Sequence, residues 1–164
     1  MMEEFKGEIV IFYPEQQKIT VIDQTKTNEK VLELEKIILE TPQVILKTTN
    51  LIHGGIYART VFIPAGLVAT GVLSKIDNMC IVQGDITVTT KDGLKRFTGY
   101  NVIPAYSGAK RAAITHADTY WTTLIHTNQT EVSAAEAEFT DEVDLLQTRN
   151  SNLLDEGDTK CLTP

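Results

Sequence analysis

The sequence predicts a mainly β protein built around one small jelly-roll β-barrel, and three observations carry the prediction. Segments rich in Val, Ile, Thr, Phe and Tyr recur at short intervals through the middle of the chain, the composition of strands that pack on a pleated surface. Turn-forming runs punctuate them, among them Pro64-Ala65-Gly66, Gln83-Gly84-Asp85, Lys91-Asp92-Gly93 and Pro104-Ala105-Tyr106-Ser107-Gly108. Helical periodicity is confined to the flanks of this region. Eight or more short strands at such density suit a sandwich or barrel, and 164 residues at 42% hydrophobic content suit a single core.

The elements follow in order. Two strand candidates, 8–13 and 18–23, are joined through Pro14-Glu15-Gln16-Gln17 and form an N-terminal hairpin that can extend the barrel's sheet or reach a neighbour. Over 28–40, Val31, Leu34 and Ile38 recur at helical spacing, with Thr27 or Asn28 as a cap and Pro42 after the end. This helix is expected to lay its apolar stripe on the outside of a sheet. Strands are then predicted at 44–48, 56–63, 68–75, 79–83, 85–90, 94–98, 111–115 and 120–127. The glycine-bearing runs at 83–85 and 91–93 read as tight reversals, and His116-Ala117-Asp118 as a turn between two strands. A last helix is predicted over 133–146: Ser133 and Glu136 have capping-box spacing, and Phe139, Val143 and Leu146 share a face. The chain thus divides into a hairpin (1–26), a barrel with its preceding helix (27–130) and an acidic helix and tail (131–164). No internal repeat interrupts this order.

Charge narrows the partners. Residues 131–164 carry nine acids and two bases, whereas the first 130 residues carry 13 of each, so the whole net charge of −7 resides in the last segment. Such an end repels phosphate backbones, and no basic stripe compensates, which argues against a nucleic-acid partner. No apolar run reaches the 18 or so residues of a membrane span, and Met1-Met2-Glu3-Glu4 places acid where a secretory signal needs Lys or Arg. A cytoplasmic protein is therefore expected, with Cys80 and Cys161 as reduced thiols. A phosphate-binding loop, a Gly-x-Ser-x-Gly elbow, His-Glu-x-x-His and Cys-x-x-Cys are all absent from the sequence.

The glycine spacing resembles that of the cupin superfamily. Its first motif reads Gly, five residues, His-x-His, an acidic position, six residues, Gly; here Gly66 and Gly84 occupy the glycine positions and Asp77 the acidic one, while Val72 and Ser74 replace the two histidines. The second motif reads Gly, Pro, Gly, His, and is matched by Gly99, Pro104, Gly108 and then Arg111. The sequence is further similar to cupin-like proteins of tailed bacteriophages through Tyr57-Ala58-Arg59, Pro64-Ala65-Gly66, Gly71-Val72-Leu73-Ser74-Lys75, Gly108-Ala109-Lys110-Arg111 and Trp121-Thr122-Thr123-Leu124-Ile125-His126, the last longer by one residue. These matches span roughly 30–138. The resemblance implies a cupin-like barrel without its metal, needing no cofactor and forming a dimer or larger homo-oligomer.

If that geometry holds, Val72, Ser74 and Arg111 line the cavity, and Arg111 replaces a metal-binding imidazole with a fork of donors suited to a carboxylate or phosphate. Strand alternation puts Arg59 on one face with Tyr57, Val61 and Ile63. The candidate ligand-binding residues are Arg111, Arg59, Tyr57, Ser74, Trp121, His126 and Tyr106: two cationic anchors, flat rings and polar selectors. An Arg111 paired with Asp77, or lying on the surface, is the structural alternative. Three functions compete. One is noncatalytic binding of a small polar or anionic molecule, extending to capture of a host signal molecule. The second resembles the metal-independent sugar epimerases and isomerases, with His126 as base and Tyr57 or Tyr106 as acid. The third is a phage structural or assembly protein whose pocket is vestigial.

Overall fold

The structure, a computed structural model, describes residues 8–13, 18–23, 27–90 and 92–146. Strands β1 (Glu8–Tyr13) and β2 (Lys18–Asp23) pair antiparallel, Glu8 opposite Asp23, as a two-stranded sheet of their own. Helix α1 (Thr27–Leu39) follows, then β3 (Lys47–His53), β4 (Ile56–Ile63), β5 (Val68–Thr70), β6 (Asn78–Thr90), β7 (Gly93–Ala105) and β8 (Ala112–His126). Helix α2 (Val132–Phe139) and a 3-10 turn at Val143–Leu145 end the described chain. The predicted connection at 14–17, Lys91 of the 91–93 turn, Cys161 and the tail from 147 onward lie outside the described residues.

Strands β3 to β8 form one antiparallel sheet in the order β3-β4-β8-β6-β7. Strand β8 is its spine. One edge of β8 pairs with β6, and the other pairs first with β5 (Ala112 opposite Thr70) and then with β4 (Thr119 to His126 opposite Ile63 to Ile56). The passage from β5 to β4 coincides with a register shift between β6 and β8 around Asp85. There the sheet bends, and its two halves face each other across a hollow. This is the mainly β, cupin-like jelly-roll class predicted, with a helix before the barrel and another after it.

The bend corrects two expectations. Gln83-Gly84-Asp85 is no reversal, because β6 runs unbroken through it, and 116–118 is no turn, because β8 does the same. Gly84 has a φ of 148°, and a Cβ there would stand 2.7 Å from the Asp118 carbonyl oxygen and 2.7 Å from Thr119 Cα. A glycine whose φ suits a turn equally suits a bulge where two strands press together. For the same reason 94–98 grows into the thirteen residues of β7, passing Gly99 and Pro104. Pro104 lacks an N–H but stands on an edge strand, where none is required. Conversely 68–75 shortens to β5, since Gly71 N–H turns to the Arg111 carbonyl and Ser74 N–H to that of Ala109. Strand β3 starts at Lys47 rather than 44.

Alternation along the strands builds the core. Val82, Ile86 and Val88 are fully buried with Phe97 beside them, and Ala113 and Trp121 pack against this cluster. Each buried aliphatic side chain contributes about 1.5–3 kcal/mol. A second cluster, Tyr57, Ile125, Ala135 and Phe139, joins α2 to the other end of the barrel. The predicted capping box is absent: Glu131 is the N-cap, without a side-chain bond. Glu136 instead turns inward, 2% exposed, which an acid on this face does only with partners.

Helix α1 also departs from expectation. It does not lie on the outer sheet face; Ile38 and Leu39 face the hollow's open end. Asn28 fastens it there, its Nδ2 donating to the Gly108 carbonyl at 2.8 Å and its Oδ1 accepting from Lys110 N–H at 3.2 Å. A buried cation completes the fastening. Lys110 Nζ, 1% exposed, lies 3.0 Å from Glu35 Oε2 on α1 and 2.7 Å from Glu142 Oε2 beyond α2.

Candidate ligand cavity inside the barrel

The hollow between the sheet halves is a cavity of about 490 Å³. Inward-facing residues of β4, β6 and β8 supply its walls: Arg59, Val61, Cys80, Ile86, Trp121 and Thr123. Register explains their meeting, since Arg59 is opposite Thr123 and Thr123 is opposite Cys80, one row running across three strands. Arg111, just before β8, enters the same space beside Trp121, its Cζ 5.9 Å from the ring centroid.

Arg111 is only partly hydrogen-bonded within the protein. Nη2 donates to the Pro104 carbonyl at 3.2 Å, and the buried Nη1 has no hydrogen-bond partner among the described residues. It does not pair with Asp77, whose Oδ1 accepts from Ser107 N–H at 2.7 Å. A buried donor left unpaired costs about 1–3 kcal/mol, so such a group favours a ligand that supplies an acceptor. Nearby, burial pushes the Cys80 thiol above its usual range, against the opposing pull of the adjacent Arg111, Thr123 and Trp121 side chains.

Arg59 has a different setting. Burial lowers its pKa from the usual arginine range, while Tyr57 and the Glu136 carboxylate act in the opposite direction. Tyr57 donates to Asn50 Oδ1 at 2.7 Å and lies 3.4 Å from Glu136 Oε1. Its phenol is pushed well up, first by burial and then by Glu136.

The sequence-derived candidates therefore separate. Arg111, Arg59, Ser74, Trp121 and Tyr106 all line the cavity, as does Val72. Tyr57 does not: it faces inward like Arg59 but is 2% exposed, sealed by Ile125, Ala135 and Phe139. His126 stands exposed on the outer sheet face, opposite Ile56. His53 is on that same outer row, and His116 joins Thr87 Oγ1 at 2.8 Å elsewhere on the surface. A His126–Tyr57 acid–base pair is not assembled in the cavity. Cys80, Thr123 and Glu136, none of them among the ligand-binding candidates read from the sequence, belong to the lining or to the charges behind it.

A divalent metal of the kind the superfamily motif holds does not fit these residues. Val72 offers no donor atom, Ser74 Oγ donates to the Ile76 carbonyl at 2.6 Å, Asp77 is engaged by Ser107, and Arg111 is itself a cation. Among the described residues no group of three or more His, Cys, Asp or Glu side chains is arranged to hold a metal. Among them, too, no helix is long and apolar enough to cross a membrane.

No protein-family profile matches the chain, and no curated protein matches it. Similar solved structures include the Cupin_2 domain of an XRE-family transcriptional regulator from Enterobacter cloacae (TM-score 0.44, 8% identity, covering 52% of this chain and 100% of that one). A cupin superfamily protein from Desulfitobacterium hafniense gives a TM-score of 0.43 at 12% identity, over 54% of this chain and 84% of that one. KdgF from a Halomonas species gives 0.45 at 16% identity, over 56% and 86%. The fold class rests on the strand order and register above.

Proposed function

We propose that this chain is a metal-independent, cupin-like binding protein that holds a small anionic molecule inside its barrel. The observation that carries the reading is the buried, unpartnered Nη1 of Arg111 beside Trp121 in a 490 Å³ cavity. A guanidinium so placed meets a carboxylate or phosphate with charge-assisted hydrogen bonds, and the indole gives a flat wall for the rest of the molecule. Arg59 adds a second positive charge on the cavity wall. The test is thermal stabilisation of the full chain by acetate, benzoate and inorganic phosphate, compared with Arg111→Ala. At least one anion raises the wild-type midpoint and loses that effect in the variant; equal shifts in both proteins remove the anchor and the reading. The phage-type motifs support a further step, capture of an anionic signal molecule in a host cytoplasm.

The reading includes a homo-oligomer formed through the outer sheet face. Rows across β4, β8, β6 and β7 present Ala58, Leu124, Met79 and Pro104, then Thr60, Thr122, Ile81 and Val102. Met79, Val102, Tyr100 and Tyr120 are all at least half exposed. These rows carry no charge, so a second copy meets them across a two-fold axis without like-charge repulsion. Light scattering after gel filtration tests this: the wild type runs as a dimer or larger and Val102→Glu as a monomer, whereas a monomeric wild type refutes it.

A further inference from the structure

Resting on that reading, we infer that the ligand is an amphipathic monocarboxylate, a single acid group on an apolar body, rather than a sugar, a sugar phosphate or another dianion. Three features of the cavity carry this. The first is charge. Arg59 has the Glu136 carboxylate behind it, and the buried Lys110 is engaged by Glu142 and by Glu35, itself a lining residue. Arg111 forms no ion pair among the described residues. Arg111 is thus the cation of the hollow without a carboxylate of its own, suited to one negative charge; a second would remain buried and uncompensated, the more so because the Lys110 site already holds two carboxylates to one cation.

The second feature is that the donors of five other polar lining residues, Thr41, Gln43, Thr70, Ser74 and Asn78, are already committed within the protein. Thr70 Oγ1 donates to Glu35, Ser74 Oγ to the Ile76 carbonyl, and Asn78 Nδ2 to Ser74 Oγ and the Ile76 carbonyl. Thr41 Oγ1 donates to the Ile38 carbonyl, and Gln43 Nε2 to those of Ile38 and Thr41. A polyol needs many convergent partners and would leave its hydroxyls unpaired here.

The third is shape and surface. Val61, Ile63, Leu67, Val72, Val88 and Ala113 form much of the remaining wall. The 490 Å³ they help enclose is roughly three times an apolar cavity of about 150 Å³ that takes one benzene. By that measure the space takes up to about eighteen carbons, so a body of about eight to ten fits inside it without strain.

Calorimetric titration of the full chain with octanoate, 1-octanol, octyl phosphate and glucose 6-phosphate tests the assignment, each used below its aggregation limit. Octanoate is expected to bind at least tenfold tighter than the other three. Arg111→Gln is expected to abolish its advantage over octanol, with Arg111→Lys restoring part of it. Urea midpoints for both variants verify that they fold. Octanol binding as tightly as octanoate, or octanoate failing to bind, overturns the inference. Octyl phosphate or glucose 6-phosphate binding as tightly as octanoate, with sensitivity to Arg111, overturns the monocarboxylate class while leaving an anion site standing. Anion affinities indifferent to Arg111→Gln overturn both.

Discussion

The guanidinium of Arg111 lies over the indole of Trp121, 5.9 Å from its centroid, and reaches the Pro104 carbonyl with one nitrogen while the other is buried without a partner. The ring and the carbonyl hold the cation in place, and a fixed cation pays less ordering entropy when an anion arrives.

Replacing Arg111 by Met should therefore separate stability from binding. It removes a cation–π contact of about 0.5–1 kcal/mol and the charge-assisted bond to the Pro104 carbonyl, about 1.5–3 kcal/mol, but also an unsatisfied buried donor of about 1–3 kcal/mol. The terms largely offset, so the urea-derived stability is expected to stay within about 2 kcal/mol of wild type, while affinity for a carboxylate falls at least tenfold by calorimetry.

Lys110 behaves oppositely. Its ammonium, 1% exposed, is shared by Glu35 and Glu142. Lys110→Met leaves two carboxylates facing each other without their cation, and breaking a buried pair in this way costs about 3–5 kcal/mol. Urea denaturation should show that loss. Hydrogen exchange should show α1 losing protection before the strands, because Glu35 is its link to this cation.

Gly84→Ala is expected to be among the most damaging single-methyl additions in the barrel. The new Cβ would meet one side-chain atom, Thr119 Oγ1, and two backbone atoms, Thr119 Cα and the Asp118 carbonyl oxygen, at the register shift between β6 and β8 and at a φ of 148°. Strain and overpacking together predict a loss of about 3 kcal/mol or more, read as a drop in the denaturation midpoint. Gly99→Ala, with a φ of 71° but nothing within 4 Å of the added methyl, is expected to cost about 1 kcal/mol.

Acid should loosen the junction between β8 and α2. Glu138 accepts from Thr127 Oγ1 at 2.6 Å and from Gln129 Nε2 at 2.7 Å, and these bonds, Thr127 first, hold its carboxyl below the usual range. A carboxyl lowered by folding stabilises the protein above its unfolded pKa of about 4.3 and loses that contribution as pH falls through its lower folded value. The stability difference between wild type and Glu138→Gln should be constant from about pH 6 to 8 and shrink below about pH 4. A difference that grows on acidification contradicts the assignment.

Much of this architecture is legible in the sequence, for reasons the residues make plain. The β-branched runs from Ile56 and Asn78 onward, and Val31, Leu34 and Ile38 at helical spacing, fix element type locally. Bulges are not local: Gly84 is a turn signal in sequence and a point of strand contact in space, and only Thr119, 35 positions on, tells them apart. Alternation places Arg59 and Trp121 toward the cavity, whereas Ser74 reaches it from the segment after β5. The same rule excludes His126, which is an odd number of residues from Trp121 on the unbroken strand and so points to the opposite face. Tyr57 obeys the rule yet misses the cavity, because α2 fills that end of the barrel. Glu136 is hidden for the converse reason, its helix-start spacing with Ser133 suggesting a cap where the fold has a buried acid.

The position of β8 at the centre of the sheet has a consequence for how the chain assembles. The β3–β4 and β6–β7 hairpins join neighbours in sequence and close short loops, but their backbones are paired to one another only through β8, made last of the six. Until residues 112–126 leave the ribosome, both hairpins wait with open edges. Closing the barrel therefore requires one late strand to insert between two early ones, a distant pairing of the kind that slows folding in general.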